Sequence, residues 1–250
     1  MDLRHTRRLF VPDRLKAGTP LTLAAEPAHR LIHVLRMREG DIIRLFNGHD
    51  GEFAASVTNL SKKEVALRVE EALRPQENGP DVWLCCAPIK KIHFDTMLEK
   101  ATELGVSEIQ PILTQRTQIR DVNGDRAYLL CREAAEQSER LAVPAIGAPV
   151  TLDDMVSVFP PDRALIVCAE WGNADPIWDA LQQPALRAFS KAAILTGPEG
   201  GLTADELETL RHRPHTFFVR LGPRILRADT AALAALVCWQ AIQGDWKTIG

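Results

Sequence analysis

Over the first third of the chain, apolar and polar residues alternate in short runs; beyond it they follow a slower strand–helix rhythm. Leu9-Phe10-Val11, Leu21-Thr22-Leu23, Ile42-Ile43-Arg44-Leu45-Phe46, and residues 51–57 and 65–69 are short and β-like, separated by turn residues such as Asn47-Gly48. One helix, about 26–35, interrupts them and ends before the turn Arg38-Glu39-Gly40-Asp41. Short strands with turns between them predict a small β-barrel over residues 1–73. Two prolines and a glycine among polar residues in Arg74-Pro75-Gln76-Glu77-Asn78-Gly79-Pro80 sustain neither periodicity, so residues 74–79 read as a linker.

Beyond residue 80 an apolar strand at 82–87 precedes a helix at 94–104 whose Met97, Leu98, Ala101 and Leu104 share one face, with Gly105 as its stop. A strand at 109–113, a helix from about 125 to 139, a strand at 164–169 and two strand–loop units follow, the latter beginning at Ala192 and Phe217. This alternation predicts an α/β domain over 80–250, its mostly parallel sheet covered by helices on both faces. The last helix, from Thr230 to about Gln243, is apolar almost all round and must be buried in the core or in a subunit interface.

Apolar residues make up 46% and charged residues 25% of the chain, as in an ordinary globular protein. No run approaches the roughly 18 apolar residues of a membrane span, and Met1-Asp2-Leu3-Arg4-His5 is polar where a secretion signal turns hydrophobic, so a cytoplasmic protein without a membrane partner is expected. Cys85, Cys86, Cys131, Cys168 and Cys238 show no C-x-x-C spacing; they read as reduced structural thiols, with no metal site or disulfide frame. Net charge is −3, but residues 1–75 hold 13 Lys and Arg against 10 Asp and Glu. That basic excess is either a solvated surface or a polyanion-facing patch.

Candidate chemistry lies in the loops after the last two strands. In Thr196-Gly197-Pro198-Glu199-Gly200-Gly201 the glycines admit close ligand approach and unusual backbone angles, Pro198 stiffens the turn, and Thr203 with Glu206 forms a capping box opening a helix at 204–210. A plain strand-to-helix turn would use the same residues. Neither G-x-x-x-x-G-K-[ST] nor G-x-G-x-x-G is present, so a phosphate-centred cofactor is not favoured. In Leu221-Gly222-Pro223-Arg224-Ile225-Leu226-Arg227, two apolar residues stand between two cations, and Asp229 or Thr230 is placed to cap the last helix. Ile225 and Leu226 either pack on the core or wall a flat ring such as adenine.

Leu195-Thr196-Gly197-Pro198-Glu199-Gly200-Gly201 taken with Leu221-Gly222-Pro223-Arg224-Ile225-Leu226-Arg227-Ala228-Asp229-Thr230-Ala231 resembles the signature pair of the SPOUT methyltransferases, and specifically of the RsmE family of small-subunit ribosomal RNA uridine-N3 methyltransferases. Similar pieces occur in the family's order: His29-Arg30-Leu31-Ile32-His33-Val34-Leu35-Arg36, Lys100-Ala101-Thr102-Glu103-Leu104-Gly105-Val106, and Glu133-Ala134-Ala135-Glu136-Gln137-Ser138-Glu139-Arg140. Gln115-Arg116-Thr117-Gln118 and Asp229-Thr230 are mild departures.

The resemblance implies an N-terminal PUA-like β-barrel for RNA, a C-terminal SPOUT α/β domain with a deep trefoil knot, and a homodimer. It implies S-adenosylmethionine bound by Thr196, Gly197, Glu199, Gly200, Gly201, Leu221, Gly222, Ile225, Leu226 and Arg227, with Ala169 and Glu170 added from the topology. Arg227 and Glu199 are expected beside the methyl-transfer centre, and Arg7, Arg8, Arg36, Arg116 and Arg140 on the 16S rRNA of the small ribosomal subunit. A uridine N3–H is a weak acid on the Watson–Crick edge, so the target must be unpaired and must lose its proton as N3 attacks the methyl group in line. Methylation of a ribose 2′-hydroxyl and a non-catalytic role in ribosome assembly are the alternatives.

Overall fold

The structure is a computed structural model describing residues 6–169 and 173–247, Lys247 by its backbone alone. It divides into two compact units: Met1–Asn78 with Ala135–Ala142, and Gly79–Ala134 with Val143–Gly250.

The first unit carries β1 (Arg8–Phe10), β2 (Pro20–Ala24), α1 (Ala25–His29), a π-helical turn (Arg30–Val34), β3 (Ile42–Phe46), β4 (Glu52–Leu60) and β5 (Glu64–Arg74). The sheet order is β1-β3-β4-β5-β2, antiparallel except where β1 runs parallel to β3. Alternate residues such as Leu21 and Leu23, or Val65, Leu67 and Val69, turn inward onto Ala28 and Leu31. Register shifts at Glu52/Phe53, Phe53/Ala55 and Val57/Asn59 curl β4 against β5. The helix expected at 26–35 holds α-geometry only to His29; the next turn is wider, its Leu35 amide donating to the Arg30 carbonyl at 2.9 Å.

The turn after β3 is held by one carboxylate. Asp50 accepts from the Leu15 amide at 2.9 Å, the Asn47 side chain at 2.7 Å and Arg14 at 2.8 Å. These bonds, the Leu15 amide foremost, bring the Asp50 carboxyl down from 3.8 to about 2. A lowered folded-state pKa adds stability above the unfolded value that is lost as pH falls through the folded one. In an Asp50→Asn variant the acid dependence of the thermal midpoint between pH 3.8 and about 2 should therefore flatten; an unchanged acid profile would show that this carboxyl is not coupled to folding.

The same unit buries a charge cluster. Glu52, only 1% exposed, takes the Arg8 guanidinium at 2.5 Å and that of Arg74 at 2.9 Å, with Arg44 at 3.7 Å. Arg44 also reaches Glu139 at 2.7 Å, and Arg30 reaches Glu136 at 2.6 Å. The hydrogen bond from Arg44 lowers the Glu139 pKa.

The second unit comprises β6 (Val82–Cys86), α2 (Lys91–Glu103), β7 (Glu108–Leu113), α3 (Gly124–Gln137, its last three residues in the first unit), β8 (Ala145–Ile146), β9 (Val150–Thr151), α4 (Leu152–Val158), β10 (Ala164–Cys168), β11 (Asp175–Pro176), α5 (Ile177–Gln182), α6 (Pro184–Arg187), β12 (Ala192–Thr196), α7 (Ala204–His212), β13 (Thr216–Arg220) and α8 (Ala228–Ile242). Every pairing in its sheet is parallel, in the order β11-β13-β10-β12-β6-β7-β8, with β9 beside β7.

All five residues of β12 are buried, and strand periodicity divides them between two layers. Ala192 and Ile194 join Leu84, Ile166, Met97, Leu98 and Trp239 on the side of α2 and α8; Ala193 and Leu195 join Leu165, Val167, Met155 and Leu210 on the side of α4 and α7. A strand covered on both faces has no polar side to present, which is why these runs are apolar throughout. Helix α8 buries Ala232, Ala235, Leu236, Trp239 and Ile242, while Val237 on its other side is 38% exposed. Cys85, Cys86 and Cys131 are buried thiols, and burial pushes that of Cys85 up to about 12.

Candidate active site

Strand β10 lies between β12 and β13, and because all three are parallel their carboxyl ends share one edge of the sheet. Loop 197–203 leaves from β12 and loop 221–227 from β13, on either side of Cys168 and Ala169. Ligands of open α/β sheets bind at such strand ends. Here the two loops enclose a cavity of about 540 Å³, within the roughly 300–1,000 Å³ usual for a small-molecule site.

The first loop is a tight turn in which the Gly201 amide donates to the Pro198 carbonyl at 2.8 Å, with Gly201 at φ 69°. Its exit is the capping box expected from Thr203 and Glu206: the Glu206 carboxylate accepts from the Thr203 amide at 2.7 Å, and the Thr203 hydroxyl from the Glu206 amide at 3.3 Å. The other Glu206 oxygen accepts from the Gln115 amide at 2.7 Å, tying the loop after β7 to this one. Arg116 on that loop donates to the Gly200 carbonyl at 2.7 Å.

The second loop turns at Gly222, whose φ of 116° strains any residue bearing a Cβ although no atom would obstruct one. It then passes Ile225, 69% exposed over the cavity. Helix α8 starts earlier than the sequence indicates. Its N-cap is Arg227, without a side-chain cap bond, so neither Asp229 nor Thr230 caps it. Asp229 instead lies in the first turn, where one oxygen accepts from the Thr230 amide at 2.9 Å and the other meets His93 Nδ1 at 3.1 Å.

A second cavity, of about 920 Å³, opens beside the first and shares Arg116, Glu199, Gly200, Arg227 and Ala228 with it. Its remaining wall sets Lys90, His93, Gln115, Thr117, Gln118 and Asp229 beside Pro88, Ile89 and Ile119. Both cavities mix charged and aliphatic groups; Gly197, Gly201 and Gly222 lie on the first alone, and His93 and Asp229 on the second alone. Glu199 and Arg227 stand where they meet.

Gly197, Glu199, Gly200, Gly201, Leu221, Gly222, Ile225, Leu226, Arg227 and Ala169 all line the first cavity. Glu170 lies outside the described residues. Thr196 is 2% exposed beneath the loop and does not line the cavity; its hydroxyl has no partner among the described residues, and its carbonyl accepts from the Ala87 amide at 3.1 Å.

The expected RNA-contacting arginines separate. Arg7 is exposed and donates to the Leu35 carbonyl, next to exposed Arg36, beyond the tilted ring pair of His29 and His33. Arg140 is half-buried, and its carbonyl accepts from Arg8 at 2.7 Å. Arg116 is exposed at the mouths of both cavities. Arg8 is buried: 7% exposed, it binds Glu52 and the carbonyls of Ala135, Glu136 and Arg140, so its assignment to RNA is corrected to a structural one. Sequence reasoning missed His93 as a site residue, because nothing local marks it; only the fold brings it to Asp229.

The glycine at 222 provides a direct check on the loop. Gly222→Ala should lower cofactor-site affinity about tenfold, because a left-handed backbone strained by roughly 1–3 kcal/mol is relieved by moving the loop. Titration calorimetry with S-adenosylmethionine measures this, and unchanged affinity would show that the loop takes no part in binding.

Residues 76–240 match the RNA methyltransferase domain family and residues 28–70 the RNA methyltransferase PUA domain family. The chain is 34% identical over 230 residues to the ribosomal RNA small subunit methyltransferase E of Rickettsia conorii, covering 92% of this chain and 93% of that one. Among solved structures, the ribosomal RNA small subunit methyltransferase E of Neisseria gonorrhoeae bound to S-adenosyl methionine superposes with a TM-score of 0.87 at 28% identity, over 97% of this chain and 100% of that one. A putative methyltransferase from Legionella pneumophila, in complex with the bound cofactor S-adenosylmethionine, gives 0.85 at 30% identity, over 96% and 99%.

Proposed function

As the chain belongs to the ribosomal RNA small subunit methyltransferase E family, we propose that it transfers the methyl group of S-adenosylmethionine to N3 of a specific uridine in 16S ribosomal RNA. The observation that carries this reading is the pair of adjoining cavities, one rich in glycine, the other holding His93 and Asp229, meeting at Glu199 and Arg227.

The residues of the first cavity fit the cofactor. Leu202, Leu207, Val219, Leu221, Ile225 and Leu226 offer carbon to adenine, and Gly197, Gly200, Gly201 and Gly222 let backbone approach it closely. When bound, the cofactor supplies an electrophilic methyl group on sulfur. The protein's part is to hold the uracil edge against that methyl group and to exclude water. Negative charge that develops on the uracil oxygens as N3–H is lost would be met by Arg227.

In this reading Arg7 and Arg36 of the first unit, with Arg116 and Arg140, contact RNA phosphates, so affinity falls with added salt. The reading extends to a deep trefoil knot, a homodimer and a cytoplasmic site of action. Support for the dimer comes from α8, where Leu233, Ala234, Val237, Cys238 and Ala241 follow one helical face and none is fully buried. No helix among the described residues is long and apolar enough to cross a membrane.

The test is methyl transfer from labelled cofactor to small ribosomal subunits lacking the modification, with the product nucleoside identified by mass spectrometry. N3-methyluridine is expected. A 2′-O-methylated nucleoside would move the reaction to the ribose, and no transfer at all would leave an RNA-binding role.

A further inference from the structure

Methylation at the N3–H of uracil requires that a proton leave, and in the second cavity one side chain is set up to take it. His93 stands on the first turn of α2, its Nδ1 3.1 Å from Asp229 Oδ2 on the first turn of α8. An ionised carboxylate only accepts hydrogen bonds, so in the neutral imidazole Nδ1 carries the hydrogen and the lone pair is on Nε2. Nε2 has no hydrogen-bond partner among the described residues. The His93 side chain is 36% exposed and lines the second cavity, while Asp229 behind it is 17% exposed.

We propose that His93, oriented by Asp229, is the base that accepts the proton from the nitrogen being methylated; this rests on the functional reading above. The N3–H bond breaks with its proton passing to Nε2, and the electron pair left on N3 forms the new bond to carbon. The methyl–sulfur bond breaks with its pair remaining on sulfur. The products are a methylated uracil, a neutral thioether and an imidazolium whose charge faces Asp229.

Besides His93, the second cavity is lined by Lys90 from the segment before α2, Arg116 from the loop after β7, Arg227 at the start of α8, and the carboxylates of Asp229 and Glu199. Glu199 is the rival base. It stands at the junction of the cavities but, unlike His93, has no hydrogen bond or ion pair among the described residues that fixes its orientation.

The experiment measures single-turnover methyl transfer to small subunits across pH, together with cofactor affinity, for the wild type, His93→Gln, His93→Ala and Asp229→Asn. Imidazoles change charge between about pH 5 and 8, so the wild-type rate should fall on the acid side of that range. His93→Gln should be slower by at least about 10²-fold, without the acid limb and with cofactor affinity unchanged. Asp229→Asn should be slowed less, and added imidazole should restore part of the His93→Ala rate.

If the wild type transfers methyl groups while His93→Gln keeps its rate or its acid limb, the assignment of His93 is wrong and the functional reading stands. If the wild type transfers none, both fail.

Discussion

Arg227→Ala is expected to slow methyl transfer by about 10²–10³-fold, the size of effect that follows removal of one donor from a site of developing negative charge. Arg227 borders both cavities, its side chain is exposed, and its guanidinium makes no hydrogen bond or ion pair among the described residues. A cation already committed to a carboxylate would have little to offer a new anion; this one is uncommitted. Its backbone is the N-cap of α8, so its position is fixed even though its guanidinium is not.

Arg227→Lys keeps the charge but not the planar fork and should recover only part of the rate. Calorimetry separates the roles. A loss of cofactor affinity as large as the loss of rate would place Arg227 on the carboxylate of the cofactor, and unchanged turnover would remove it from the chemistry.

What the sequence could show depended on how locally each feature is determined. Strand β3 at Ile42–Phe46 and the capping box of Thr203 and Glu206 follow from neighbouring residues, so pattern and composition suffice to place them. The two loops were legible because each needs glycines at fixed offsets from an apolar strand. The charge cluster is different. Arg8, Arg30 and Arg44 read as a basic face because their acidic partners Glu52, Glu136 and Glu139 come 44, 106 and 95 residues later. No periodicity reports such pairs, nor the one between His93 and Asp229 across 136 residues. Part of the basic excess of the N-terminal segment is thus neutralised inside the fold, while Arg7 and Arg36 are among the cations that stay exposed.

Arg8→Ala therefore separates two accounts of one residue. If Arg8 bound RNA, the variant would lose RNA affinity and keep its stability. The structure gives the opposite expectation, a loss of about 3–5 kcal/mol of stability, because removing one member of a buried ion cluster leaves an opposing charge desolvated. The Arg8 guanidinium donates to Glu52 at 2.5 Å, to the carbonyls of Ala135 and Glu136 at 2.9 Å each and to that of Arg140 at 2.7 Å, and stacks 4.4 Å from the centre of the Phe46 ring. Burial lowers its pKa and the bond to Glu52 works against that shift. Urea unfolding measures the loss. Arg8→Lys should recover little, since one ammonium cannot span a carboxylate and three carbonyls. Arg8→Met combined with Glu52→Gln should be less damaging than Arg8→Met alone, because the double change removes the stranded charge together with its partner. Equal stability of the two would mean that Arg74 and Arg44 suffice for Glu52, and that Arg8 acts chiefly by fastening residues 135–140 to the first strand.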